Sequence, residues 1–181
     1  MTPTLKGTGS DSTAASAYTL ASAAYTTGRL VLVFVGNAKA APVDVPSSVT
    51  GLGGTFTLAT SRDFDTDANP SRVSSVWRAS NVDGTGSLTV NFPANQTSFV
   101  GIAVEIEGVD TATNNGVVQT TTAFSDTAAL EGTVGPLATF GASINRPFGS
   151  MLQNSSGGDQ VWTAAPAWTE ISEVTVATPD L

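Results

Sequence analysis

The stretch SRDFDTDANPSR, residues 61 to 72, carries aspartates at alternate positions, Asp63, Asp65 and Asp67. A D-x-D-x-D run is how a calcium loop begins, with carboxylate oxygens supplied to one cation. In an extended chain alternate residues share a face, so the three carboxylates would point the same way. The second half of the pattern departs from such a loop. Its sixth position is Ala68, where the turn needs glycine, and its twelfth is Ser74, where a bidentate glutamate belongs. Arg62 and Arg72 flank the run and offset its charge. The residues therefore read as an acidic surface loop closed by the turn signal Asn69-Pro70. Asp63, Asp65 and Asp67 are kept as calcium candidates, and no metal or cofactor is expected.

Glu105 and Glu107 lie two apart in VEIEGVD and so share one strand face. Paired carboxylates serve glycoside hydrolysis when they face each other across a cleft about 5 to 10 Å wide. Two on one strand more simply mark its solvent side. Trp77, Trp162 and Trp168, with Tyr18 and Tyr25, could stack on sugar rings. The same aromatics build a sandwich core or a subunit interface, which is the favoured reading. GTGS and GLGG lack any phosphate-loop continuation and read as turns. The chain has neither cysteine nor histidine. That excludes disulfides, thiolate metal sites and imidazole-activated nucleophiles. The expectation is a protein that is not an enzyme.

Seven basic residues against fifteen acidic ones give a net charge of −8, and the five arginines are scattered singly. Phosphate binding needs clustered Lys and Arg, so nucleic acid and anionic membranes are not the expected partners. The N-terminus shows no apolar segment of the secretory kind. The longest dense apolar run, LVLVFV, is too short to span a bilayer as a helix. The chain is expected to be soluble when made and to leave the cell only by lysis or with a partner.

The hydrophobic pattern is that of strands. RLVLVFVGNA is almost continuously apolar, as in a strand covered on both faces. TSFVGIAVEIEGVD puts Phe99, Gly101, Ala103 and Glu105 on one face and Val100, Ile102, Val104 and Ile106 on the other. Further strands are read in SAYTLASAAYTTG, in residues 55 to 60 and 71 to 80, in SLTVNF, in VVQTTTAF (strand or edge), in RPFGSMLQ and in the C-terminal alternation of Ile171, Val174 and Val176. VDGTG, 82 to 86, reads as a tight turn. Nine or ten short strands with a turn signal roughly every ten residues imply an all-β, single-domain antiparallel sandwich. The expected division is a flexible N-terminal arm over 1–15 and a sandwich domain over 16–181.

Several phrases in order carry a resemblance: TTGRLVLVFV, TGLGGTFTL, SSVWRAS, GSLTVNFPANQTSFVGIAVEIEGVDT, NNGVVQT, LATFGASINRPFGSML and WTEISEVTVATPDL. From about residue 17 onward the chain resembles a family of jelly-roll-like structural proteins of tailed bacteriophages and prophages. The resemblance implies a virion component on the outer surface of the head or on the tail. Its partners would be the major capsid protein or other virion proteins, and it would form a homo-oligomer, with a trimer favoured. It implies no site residues. Capsid decoration is the first expectation; a tail or fibre-base protein with a carbohydrate-binding face is the second. Related sequences continue past the ATP phrase into further strands, so the resemblance implies either a shortened version of the gene or a sheet edge completed by a neighbouring subunit.

Overall fold

The computed structural model describes residues 1–64, 70–112, 116–117, 119–123, 147–152, 169–172 and 174. In chain order the strands are β1 (Thr2–Asp11), β2 (Ala15–Thr19), β3 (Ala23–Tyr25), β4 (Leu30–Lys39), β5 (Ser48–Thr50), β6 (Thr57–Phe64), β7 (Ser71–Ala79), β8 (Gly84–Gly86), β9 (Thr89–Gln96) and β10 (Ser98–Glu107). Two of them organise the rest. β4 is buried along its whole length except Lys39, and β10 except Ile102 and Glu107. Because side chains alternate between faces, an unbroken buried run requires cover on both sides of the sheet.

The strand register shows how that cover arises. Thr2 lies opposite Glu107, Ala15 opposite Gln96, Tyr18 opposite Val90, Ala23 opposite Gly86 and Val31 opposite Ala79. These partner numbers add to between 108 and 111 in every pair. The chain up to β4 therefore runs antiparallel to β7–β10 as one long ribbon, folded back near Gly54. The ribbon is then rolled. Rolling brings β10 beside β4, with Ile106 opposite Leu30, and β5 beside β9, with Val49 opposite Val90. The product is a five-stranded sheet, β1-β10-β4-β7-β6, facing a shorter layer made of β2-β9-β5 and β3-β8. All pairings are antiparallel. The β2 and β3 pairings form one track, joined by the Leu20 N–H to Leu88 carbonyl bond of 2.9 Å. Ribbon passes that alternate between two layers are the nesting of a jelly roll. The all-β antiparallel sandwich read from the sequence is the observed fold.

The main core lies between the layers. Val31, Val33 and Val35 of β4 with Phe99 and Ala103 of β10 meet Tyr18, Leu88, Val90 and Phe92 from the facing layer. Tyr18 stacks on Phe99 with ring centroids 4.6 Å apart, and Phe92 meets Tyr18 edge-on at 5.9 Å. Such ring pairs add about 0.5–1.5 kcal/mol beyond the area they bury. A second cluster, with Leu32, Phe34, Val104 and Ile106, sits on the opposite face of the large sheet. It is covered by Val109, Val117, Phe148 and Ile171, and Phe34 stacks on Phe148 at 5.7 Å. Leu152 and Val174 extend this cover over Ala38 and Val100. The chain after β10 thus supplies an outer layer.

Several expectations change. The N-terminus is not a loose arm over 1–15: residues 2–11 form β1, laddered to β10. Residues 84–86, expected in a turn, form β8 and pair with β3. No strand is found among the described residues of VVQTTTAF or of RPFGSMLQ. Pro147 and Gly149 interrupt the latter, and its apolar Phe148 and Leu152 are used to cover the sheet instead of extending it. The strand expected at 55 to 60 begins at Thr57 and runs on to Phe64.

Gly101 tests the tightness of the inner core. A Cβ there would stand 2.6 Å from Phe99 Cζ and 2.7 Å from Leu20 Cδ2, both on buried side chains. Overpacking of this kind costs about 1–3 kcal/mol. Gly101→Val is expected to lower the urea midpoint accordingly. Gly149→Ala, with nothing within 4 Å of the new methyl, should change the stability by less than about 0.5 kcal/mol.

Candidate functional site

Two clusters of polar side chains close the sandwich at opposite ends. The first centres on Glu105, which is only 1 % exposed although the sequence reading puts it on a solvent face. Its carboxylate accepts three bonds from two segments, β1 and the turn before β4. The Thr26 N–H donates to Oε2 at 2.7 Å, Arg29 Nη1 donates to Oε1 at 3.1 Å, and Lys6 Nζ stands 3.0 Å from Oε1. Lys6 also donates to the Ala24 carbonyl at 2.6 Å and lies 5.8 Å from the Tyr25 ring centroid. Arg29 reaches Glu107 as well, with Nη2 3.4 Å from Oε2. The two glutamates do share a face, but Glu107 sits at the strand end, 60 % exposed, while Glu105 lies under β1 and the turn before β4.

The electrostatics follow from this packing. Burial on its own pushes the Glu105 carboxyl upward. The Thr26 amide, Lys6 and Arg29 outweigh it and hold the group below its ordinary value. The same buried charge acts on Tyr25. Burial first, and the Glu105 carboxylate second, push that phenol up to about 12. Tyr18 is also raised, chiefly by burial. Glu105 is thus an ionised carboxylate with its oxygens already engaged. A general acid needs the opposite, a raised value and an open approach.

The second cluster gathers around Asp44. Lys39 Nζ donates to Asp44 Oδ2 at 2.7 Å, and Gln96 Nε2 to the same oxygen at 3.0 Å. Buried Asn37 donates to the Asp44 carbonyl at 2.9 Å and to Gln96 Oε1 at 2.8 Å. Tyr18 Oη donates to the Gln96 carbonyl at 2.8 Å. Burial raises the Asp44 carboxyl, but the Lys39 and Gln96 bonds bring it below its ordinary value. The cluster fastens the β4–β5 connection, including the cis Ala41-Pro42 bond, to the end of β9.

Asp63 lies on β6, opposite Val73, with its side chain exposed. It is therefore on an edge strand and not in a loop. Asp65 and Asp67 lie outside the described residues, in the connection from β6 to β7. Asp63 borders a surface recess of about 390 Å³ whose other lining residues, among those described, are Ala41, Pro42, Val43 and Ser71. Among the described residues Asp63 is the one carboxylate bordering it, short of the six to eight oxygens calcium takes, as a rule of thumb. No group of three possible metal ligands occurs among the described residues. Trp77, Tyr18 and Tyr25 are 6 %, 4 % and 4 % exposed, in the main core. They offer no sugar platform. Trp162 and Trp168 lie outside the described residues.

The fold and these clusters define a class: an all-β jelly-roll sandwich whose buried ionisable groups act as structural fasteners. No protein-family model, curated protein or solved structure matches the chain. Lys6, Arg29, Asp44 and Gln96 carry no signal in the sequence. Only the rolled ribbon brings Lys6 to Glu105 or Asp44 to Gln96.

Two outcomes are expected. The folded Glu105 carboxyl titrates below the 4.5 of an unperturbed glutamate. Its contribution is therefore complete above that value and is lost as pH falls through the lower folded value. Urea unfolding should find Glu105→Gln less stable than the parent by about 2 kcal/mol at pH 7, since Lys6 loses its anion and Arg29 keeps only the exposed Glu107. The gap should narrow toward pH 3 as the parent's carboxylate takes up its proton. Second, the melting temperature should be the same in millimolar calcium and in chelator, because a tight site would raise it.

Proposed function

We propose that this chain is a non-enzymatic structural protein of a bacteriophage particle, and specifically a capsid decoration protein that stabilises the head by bridging capsomers. The observation that carries the non-enzymatic part is the Glu105 cluster. The most buried carboxylate of the described residues is spent on joining β1, β10 and the turn before β4, with Lys6, Arg29 and Thr26 occupying its oxygens. The decoration role draws on the sequence resemblance and on mechanical fitness. A rolled ribbon distributes load over long antiparallel ladders, and many weak repeated contacts between rigid domains add up on a shell. A net charge of −8 suits an outer surface, away from packaged nucleic acid. The chain would act there as a homo-oligomer, a trimer by analogy with other threefold shell sites. The buried state of Trp77, Tyr18 and Tyr25 lends nothing to a carbohydrate-binding tail protein.

Quantitative mass spectrometry of purified particles from the phage or prophage encoding this chain tests the reading. Copies in the hundreds per particle are the expected result. A handful of copies would assign the chain to the tail, and none would remove it from the virion.

A further inference from the structure

β1 is held to the molecule unlike the other long strands. Of its ten residues only Gly7 is buried, and its large apolar side chain, Leu5, is 41 % exposed. Among the described residues its attachment is the backbone ladder to β10, one backbone hydrogen bond donated by the Ala21 N–H to the Thr8 carbonyl at 2.9 Å, and the contacts of one side chain, Lys6. A strand that buries so little apolar surface belongs to the low-stability end of a fold and opens before the core does.

The slot it fills is nonetheless selective. A Cβ on Gly7 would stand 2.5 Å from the Ala21 carbonyl oxygen. A Cβ on Gly9 would stand 3.1 Å from both Leu20 Cδ2 and the Thr19 carbonyl oxygen. Lys6 must arrive at the bulge between Leu5 and Gly7 to meet Glu105. The slot therefore asks for Lys-Gly-x-Gly in one register. An empty slot is costly, since it bares the β10 ladder and leaves Glu105 with one cation fewer. The segment that satisfies it is β1, and every copy of the chain carries one. The joint to β2, residues 12–14, is exposed.

We propose that the slot along β10 exchanges β1 between copies of this chain, so that the N-terminal strand of one subunit seats on β10 of another. The same ladder, the same Lys6–Glu105 contact and the same glycine clearances are then made between subunits, which makes the exchange nearly neutral in energy and governed by concentration. The inference rests on the fold alone and does not depend on the virion reading.

The cysteine-free sequence makes the test direct in the full chain. Thr2 and Glu107 are cross-strand partners, and both are exposed. Thr2→Cys is placed in one chain and Glu107→Cys in a second chain of different mass. The two are mixed at high concentration, incubated and oxidised. A mixed disulfide-linked dimer is the expected product. Lys6→Ala in the first chain should shorten the time to reach it on the order of tenfold, the effect of losing one charged hydrogen bond. Gly7→Val in the first chain should abolish it, because the new side chain meets the Ala21 carbonyl oxygen and that strand no longer seats in any slot. The double variant, with both cysteines in one chain, should close its disulfide internally when dilute and so certify the register. Internal closure of the double variant with no mixed dimer from the single ones would overturn the proposal. So would a mixed dimer that persists with Gly7→Val, which would be collisional, or failure of the double variant to close.

Discussion

Everything in this fold follows from two adjacent strands, β4 and β10, that are apolar on both faces. A strand of a half-exposed sheet alternates, and these do not. Val31, Val33 and Val35 need cover on one side, Leu32 and Phe34 on the other. A single sheet with one packed face would leave roughly half of that surface in water, at about 25 cal/mol for each Å². The rolled ribbon covers the inner face with β2, β3, β8 and β9. The chain after β10 covers the outer face with Phe148, Leu152, Ile171 and Val174. The result is three layers built from one buried pair.

The polar clusters are consequences of the roll. When a ribbon closes on itself, its ends and connections bring backbone and charged groups into places water reaches poorly, and those groups must be satisfied. Glu105 does this at one end, accepting from the Thr26 amide and binding Lys6 and Arg29. Asp44, Asn37 and Gln96 do it at the other. Each cluster joins segments far apart in the chain, so each is made only when the roll is complete. This makes them fasteners of the tertiary arrangement more than of any one strand. Their ionised state at neutral pH is part of that role, because a carboxylate without its charge would no longer hold two cations in place.

The candidate site was the less legible half of the sequence. The aspartate run draws the eye because its residues are neighbours, but Asp63 proves to be an exposed edge-strand side chain. The functional weight of the described region falls on Glu105, which stands in an ordinary strand phrase beside an exposed glutamate. Its partners Lys6 and Arg29 sit in segments whose composition suggests a loose arm and a turn. The N-terminus misleads for a physical reason. Gly, Ser and Thr bury little, so a strand held mainly by backbone hydrogen bonds and one lysine has the composition of a disordered tail.

What the sequence determined by itself is the class of the fold and its centre. Period-two alternation, the two continuous apolar runs, and the turn signals between them require antiparallel strands in a covered sandwich, because local pattern dictates which backbone form can bury those side chains. Only the tertiary structure decided which strands lie side by side, that Thr2–Asp11 closes the sheet, that Phe148 and Leu152 form a lid and not a strand, and that a glutamate near a strand end becomes the buried charge between Lys6 and Arg29. Those outcomes depend on register and on contacts between residues tens of positions apart, and no local pattern of residue types encodes them.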